Sequence, residues 1–81
     1  MARLSVERSL ALTFLRGQED WDVAAGSVFQ LVQAIEQIHP GFADAADQRV
    51  LVAVDGELVT DWSQPLHAAS QVLFVPRVGG G

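Results

Sequence analysis

The chain has 81 residues, of which 49% are hydrophobic and 19% charged, and its net charge at pH 7 is −5. This length predicts a single packed domain and excludes a two-domain enzyme. The negative charge argues against phosphate backbones and anionic membranes, so we expect neither a nucleic acid nor a membrane as partner. No apolar run approaches the ~20 residues of a membrane span and no secretory leader is recognisable, which predicts a cytoplasmic protein. The chain has no cysteine, so it has no disulfide, thiolate metal site or cysteine nucleophile.

The first quarter of the chain is predicted to form a β-hairpin. Residues 1–8 show no clear period and are expected to be an irregular lead-in. Residues 9–16 alternate between apolar and polar side chains, which is typical of a strand. Residues 17–20 are polar and favour a turn, and residues 21–25 are the candidate return strand.

A helix is predicted after Gly26. Ser27 is a favourable N-cap, and Gln30 three residues later suits a capping box. The motif His39-Pro40-Gly41 ends the helix, since a residue that precedes proline is disfavoured in the α region. Apolar residues between these signals recur at the spacing of one helical face: Val28, Leu31, Val32, Ile35 and Ile38.

The middle of the chain is predicted to hold a loop and a second hairpin. Residues 42–48 are polar and alanine-rich and are expected to be a loop. Residues 49–54 form a continuous apolar, β-branched run, which is typical of a buried strand. Asp55-Gly56 is a strong signal for a two-residue hairpin turn, and residues 57–60 are the expected return strand.

The last part of the chain completes the predicted fold. Residues 61–69 are a connection, and residues 71–76 are expected to be the last strand. We therefore predict a domain over residues 1–76 and a flexible glycine tail over residues 77–81. This order of elements predicts an α+β domain in which one main helix covers a mixed sheet of four or five strands.

No pattern in the chain is typical of an enzyme or of a metal site. His39 and His67 are the only imidazoles, and both are interpreted as solvated or capping side chains. No serine lies in a nucleophile elbow, and no glycine-rich phosphate loop is present. Two separate histidines with scattered carboxylates do not predict metal binding.

The glycines that end the sequence are the most informative feature. A tail without Cβ atoms can enter a narrow slot in another protein and adopt any backbone geometry there. Glycine also leaves its carbonyl open to a nucleotide phosphate and then to a sulfur or nitrogen nucleophile. The alternative interpretation is an inert terminus.

Residues 50–59, Pro65-Leu66, residues 72–76 and Gly80-Gly81 resemble the MoaD/ThiS sulfur carriers, and most closely the small subunit of molybdopterin synthase. These are ubiquitin-like β-grasp proteins that end in Gly-Gly. The resemblance implies that an activating enzyme uses ATP to adenylate Gly81, which then becomes a thiocarboxylate, with Gly80 as its required neighbour. It implies two partners, the adenylating enzyme and either the synthase large subunit or another sulfur-accepting enzyme, and no stably bound cofactor.

Strand alternation predicts where such partners bind. If the side chains of Val72 and Phe74 point into the core, their neighbours on the strand point outward. With Leu58 or Val59 on the neighbouring strand, they are expected to form an apolar patch near the tail. The alternative is that the first hairpin or Trp62 covers this patch. The predicted partner-binding residues are Leu58, Leu73, Val75, Arg77, Val78 and Gly79.

The sequence is also compatible with three other functions. The chain could carry sulfur for thiamine, cysteine or natural-product biosynthesis rather than for molybdopterin. It could be a ubiquitin-like modifier that is joined to target lysines through Gly81. It could also be a ubiquitin-like interaction domain whose tail is inert.

Overall fold

The computed structural model describes residues 1–77, which form one mixed sheet and three helices. The sheet order is β2-β1-β5-β3-β4, in which β1 and β5 are parallel and the other neighbours are antiparallel. The α+β prediction, with a mixed sheet of four or five strands, is confirmed. The elements are β1 (Ala2–Val6), α1 (Arg8–Phe14), β2 (Asp20–Val23), α2 (Val28–Ile38), α3 (Phe42–Arg49), β3 (Val50–Val54), β4 (Glu57–Val59) and β5 (Gln71–Pro76).

The prediction for the first 16 residues is wrong. The supposed lead-in is β1, which pairs with β2 on one side and with β5 on the other. The supposed first strand is α1, because Glu7 accepts hydrogen bonds from the amides of Ser9 at 2.9 Å and Leu10 at 3.2 Å and so caps a helix. Helical geometry leaves Leu12 exposed while Leu10 faces the core. The strand predicted over 21–25 is confirmed as β2.

The predicted helix is confirmed as α2. The Ser27 hydroxyl accepts a hydrogen bond from the Gln30 amide at 3.2 Å, as the N-cap prediction requires. The Gln30 side chain accepts from the amide of Gly26 at 2.7 Å, one residue earlier than in a standard capping box. The predicted apolar face is buried except at its last position, since Ile38 is 61% exposed.

Residues 42–49 form helix α3 and not the predicted loop. The Glu36 carboxylate accepts hydrogen bonds from the amides of Gly41 at 3.1 Å and Ala43 at 2.9 Å, and thereby satisfies backbone donors at the start of α3. The Phe42 side chain anchors this helix in the core. The sequence of α3 has few large apolar residues. Its helical structure therefore depends on the hydrogen bonds to Glu36 of α2 and on the buried Phe42 side chain.

The second hairpin and the last strand are confirmed. Asp55 and Gly56 have φ values of 50° and 87°, as the two central residues of a type I′ turn require. β4 then pairs with β3, and β5 lies between β1 and β3 near the middle of the sheet. Of the tail predicted over residues 77–81, the structure describes only Arg77.

The core lies between one face of the sheet and the helices. Inward-pointing residues of the strands are buried in one cluster with the apolar residues of α1, α2 and α3. The described helices contain no segment of the length and hydropathy that a bilayer span requires. The three helices all contribute to this cluster, so among the described residues nothing covers the opposite face of the sheet.

Candidate functional site

The uncovered face of the sheet carries an apolar patch over three neighbouring strands. Leu58 on β4 is opposite Ala53 on β3, and Ala53 is opposite Leu73 on β5. Leu51 and Val75 form a second pair on the same face. Leu58 is 67% and Leu73 is 42% exposed, and the other three are half-buried. We call these five residues the outer apolar face.

The predicted outward orientation of the β5 side chains is thus confirmed. Val72 and Phe74 are buried, whereas Leu73 is exposed and Val75 is half-buried. Trp62 packs against the core cluster, so it does not cover Leu58. The residues predicted to form the first hairpin do not cover the patch either, because α1 packs on the other face of the sheet and β2 lies in the sheet beyond β1.

The start of the tail is fixed beside this face. Pro76 is opposite Val50 at the end of β5, and the Arg77 amide donates a hydrogen bond to the Arg49 carbonyl at 2.8 Å. The Arg77 side chain is exposed. Val78, Gly79, Gly80 and Gly81, which the sequence predicts to be functional, lie outside the described residues. The tail therefore starts next to the Leu51–Val75 pair, and the Ala53–Leu73 pair lies two residues further along β5, toward the β3–β4 turn.

A groove of about 520 Å³ continues the outer apolar face toward the β3–β4 turn. Leu73 and Ala53 form its apolar side. Arg3, Asp55 and Gln71 supply polar groups at its other side, where the Gln71 amide donates to an Asp55 carboxylate oxygen at 2.9 Å. A partner that covers the apolar residues would also meet hydrogen-bonding groups there.

The titratable groups with shifted pKa values have structural explanations. Hydrogen bonds from the hydroxyl and amide of Ser9 lower the pKa of Glu7 below 4.5. Backbone amides of Ala43 and Gly41 lower the pKa of Glu36. The backbone amide and the hydroxyl of Ser63 lower the pKa of Asp61. Each of these carboxylates caps a helix or a turn, so none has the environment of a catalytic acid or base.

The two histidines do not form a catalytic arrangement. His39 caps the C-terminal end of α2, and its ring lies edge-on to Trp21 with centroids 5.9 Å apart. His67 is exposed in the connection before β5. Within residues 1–77, no three His, Asp or Glu side chains come close enough together to hold a metal ion.

Sequence reasoning missed Leu51 and Ala53 as members of the outer apolar face. The continuous run over β3 was interpreted as buried on both sides, as in a parallel sheet. In the structure Val50, Val52 and Val54 are buried while the residues between them face outward. Strict alternation along the strand is the signal that could have identified them.

The fold is that of a ubiquitin-like β-grasp protein. The sequence model of the ThiS family matches residues 11–81, and the chain belongs to the ThiS family. No curated protein sequence matches the chain. The resemblance to MoaD/ThiS carriers in the sequence is therefore confirmed at the level of the family.

Solved structures with low sequence identity share the fold. A chain of the Amycolatopsis orientalis BexX/CysO complex has a TM-score of 0.83 at 18% identity, with 100% of both chains covered. Mycobacterium tuberculosis CysO has a TM-score of 0.82 at 14% identity, covering 96% of this chain and 100% of CysO. A chain of the complex of subunits 1 and 2 of molybdopterin-converting factor from Helicobacter pylori has a TM-score of 0.69 at 19% identity, covering 99% and 97%. Two of these three structures are complexes of a small protein of this fold with a partner protein.

Proposed function

We propose that this protein is a sulfur carrier, not an enzyme, and that the carboxylate of Gly81 is its reactive group. The observation that supports this most is the uncovered outer apolar face next to the anchored start of the tail. Exposed apolar patches of this kind mark protein–protein interfaces. Membership of the ThiS family supports the same function.

The proposed chemistry has two stages. The Gly81 carboxylate attacks the α-phosphorus of ATP on an activating enzyme, which releases pyrophosphate and leaves an acyl-adenylate. A persulfide sulfur from a donor then attacks the acyl carbon and displaces AMP. A thiol cleaves the remaining S–S bond, so that the carrier keeps a terminal thiocarboxylate and the thiol forms a disulfide with the donor sulfur. Gly80 leaves room around the reacting carbonyl, and ATP is consumed without being a resident cofactor.

The position of Arg77 limits where a partner enzyme can bind the carrier. Residues 78–81 span at most about 14 Å when extended, so the active site of the partner must lie close to Arg77. The adenylating enzyme and the sulfur-accepting enzyme would therefore cover Leu73 and Leu58 while they bind the tail. Arg77, Val78 and Gly79 would line the entrance to the active site, and an acidic group of the partner would pair with Arg77.

The enzyme that accepts the sulfur is the second part of the proposal. The ending of the chain, with residues 72–76 before Gly80-Gly81, supports the molybdopterin synthase large subunit as the acceptor. The higher TM-scores of the CysO structures support a second candidate, a carrier for another sulfur-containing product. With either acceptor, we propose that the protein acts in the cytoplasm together with its activating enzyme. To distinguish the two candidate acceptors, the thiocarboxylate form of the carrier is incubated with each purified acceptor enzyme and sulfur transfer is measured.

The test of the carrier function uses the absence of cysteine. The protein is incubated with its activating enzyme, ATP and a sulfur donor, then treated with a thiol-selective alkylating reagent and measured by intact mass. We expect one adduct that maps to the C-terminal peptide, since no side chain offers a thiol. A variant without Gly80 and Gly81 is the control and should remain unlabelled.

The rival functions give different results in the same system. A ubiquitin-like modifier would yield amide-linked adducts on lysines of other proteins. An inert interaction domain would show no adduct with an enzyme that activates another carrier, and its cellular activity would survive removal of the two glycines. Either result would overturn the proposal.

A further inference from the structure

Within residues 1–77 the edge strand β2 pairs with β1 alone, and it has backbone groups that β1 does not use. The Val6 amide donates to the Glu19 carbonyl at 2.7 Å, and the register places Arg3 opposite Asp22. In an antiparallel ladder, hydrogen-bonded pairs alternate with pairs that do not exchange hydrogen bonds. Counting from Val6 and Glu19, the Arg3–Asp22 pair is of the second type. The N–H and C=O of Asp22 therefore point away from β1, toward the free edge of the sheet.

An apolar groove of about 250 Å³ runs along this edge, between β2 and α2. Trp21 and Val23 line the strand side, and Ala34 and Ile38 line the helix side. Ile38 forms an exposed rim, although the helical spacing predicts it for the core. The groove thus presents apolar surface on the inner side of the strand that has unpaired edge groups.

The other side of the same strand is acidic. Asp20 and Asp22 alternate along β2 with the inward-pointing Trp21 and Val23. Both aspartates are exposed on the outer face of the sheet. Arg3 reaches Asp22 only at 4.0 Å, with both side chains about two-thirds exposed. Exposed pairs of this kind contribute little to stability, so a basic group of a partner can compete with Arg3 for Asp22.

We propose that the β2 edge accepts an extended segment of a partner protein as an additional strand, and that this segment alternates apolar and basic side chains. Side chains of a strand point alternately to the two faces of a sheet. A strand added at β2 would place every second side chain in the groove beside Ile38. The intervening side chains would face Asp20 and Asp22, where Lys or Arg is favoured. Strand addition of this type supplies affinity through the backbone and specificity through alternate side chains.

The same charges disfavour a second copy of this chain as the occupant. Pairing of two β2 edges would bring Asp20 and Asp22 of both copies together, and like charges on neighbouring strands are destabilising. Acidic edges also serve simply to prevent such pairing. The proposed site involves neither the tail nor the outer apolar face, so it goes beyond the carrier function.

The test uses a capped synthetic peptide of alternating Val and Lys as the probe, with the full chain. A peptide of alternating Val and Glu and a scrambled peptide of the first composition are the controls. We expect the Val–Lys peptide to slow hydrogen exchange at the Asp22 amide and to shift the NMR signals of Ile38. Signal changes confined to Leu58 and Leu73, or equal effects of all three peptides, would overturn the proposal.

Matched variants identify the groups responsible. Ile38→Glu places a charge at an exposed position and should weaken binding of the Val–Lys peptide by about tenfold or more. Joint replacement of Asp20→Lys and Asp22→Lys should transfer the preference to the Val–Glu peptide. Leu73→Glu, on the outer apolar face, should leave peptide binding unchanged. Unaltered binding in the Ile38 variant, or a wild-type protein that dimerises through β2, would refute the site.

The two proposals fail independently. Formation of the Gly81 thiocarboxylate is measured on the Ile38 and aspartate variants, and it should proceed as in the wild-type protein. If sulfuration is absent in the wild type while the Val–Lys peptide binds, the carrier function is wrong and the edge site stands. If sulfuration occurs and no peptide binds, the edge site is wrong and the carrier function stands.

Discussion

The ring of Phe42 stacks on the ring of Phe74, with centroids 5.9 Å apart and an interplanar angle of 20°. Phe42 is the first residue of α3, and Phe74 lies in β5, between the outward-facing Leu73 and Val75. The stack therefore holds the strand that presents the outer apolar face. It links a helix that the sequence does not predict to the surface proposed to bind partners.

Replacement of Phe42 by Ala should destabilise the fold by about 3–5 kcal/mol, because it leaves a cavity beside Phe74. Urea unfolding measures the change in the free energy of unfolding. Phe29→Ala is the matched control. Because Phe29 is 51% exposed on α2, its replacement should lower the free energy of unfolding much less. Equal losses in the two variants would contradict the described core.

Leu73→Asp should reduce the rate of sulfuration by the activating enzyme while the protein stays folded. The side chain is exposed in the outer apolar face, so a charge there costs binding of a partner and little stability. Kinetics of thiocarboxylate formation at several carrier concentrations measure the loss as an increase in KM. Leu12→Asp, at an exposed position of α1, is the control and should behave as wild type. A normal KM for the Leu73 variant would exclude this face as the interface.

Glu36→Gln should reduce stability at neutral pH and have little effect in acid. Backbone amides of Ala43 and Gly41 lower the pKa of the Glu36 carboxyl below its ordinary value of 4.5. A lowered pKa in the folded state contributes stability above the unfolded pKa, and this contribution is lost as the pH falls through the folded pKa. Urea unfolding of both proteins over a pH series measures the difference. The stability difference should narrow below pH 4.5, and a difference that widens there would refute the assignment.

Gly41→Ala should destabilise the protein by about 1–2 kcal/mol, because Gly41 has a φ of 97° at the N-cap of α3. Space is not the reason, since a Cβ at this position meets no atom within 4 Å. Thermal unfolding measures the effect. Gly41→Asn is the control for backbone conformation. It should lose less stability than Gly41→Ala, because asparagine tolerates the left-handed region better than alanine. Equal stability of the Ala variant and the wild type would show that the backbone relaxes.

Sequence reasoning predicted that Leu73 and Val75 face away from the core, because alternation alone separates them from Val72 and Phe74. It offered Leu58 or Val59 as their neighbour on the next strand, and Leu58 is the exposed one. The role of these residues in partner binding stays a prediction. It did not predict the acidic edge, because the partner of β2 was assigned to residues 9–16 and not to β1. The exposure of Ile38 was also missed, since helical spacing locates a residue on a face without showing where the sheet beneath that face ends.

Local signals in the sequence by themselves determined α2, the Asp55-Gly56 turn and β5. Each depends on hydrogen bonds or side-chain periods within a few residues, such as the bond from the Gln30 amide to Ser27. Long-range contacts are needed to make residues 2–6 a strand and residues 42–49 a helix. Helix α1 has a local cap at Glu7, a signal that the strand prediction for residues 9–16 overlooked. The parallel pairing of β1 with β5 joins residues nearly 70 positions apart, at Arg3 and Gln71, and no local pattern encodes such a contact. The surfaces proposed to bind partners depend on both levels, because alternation chooses the outward residues and long-range pairing brings them together.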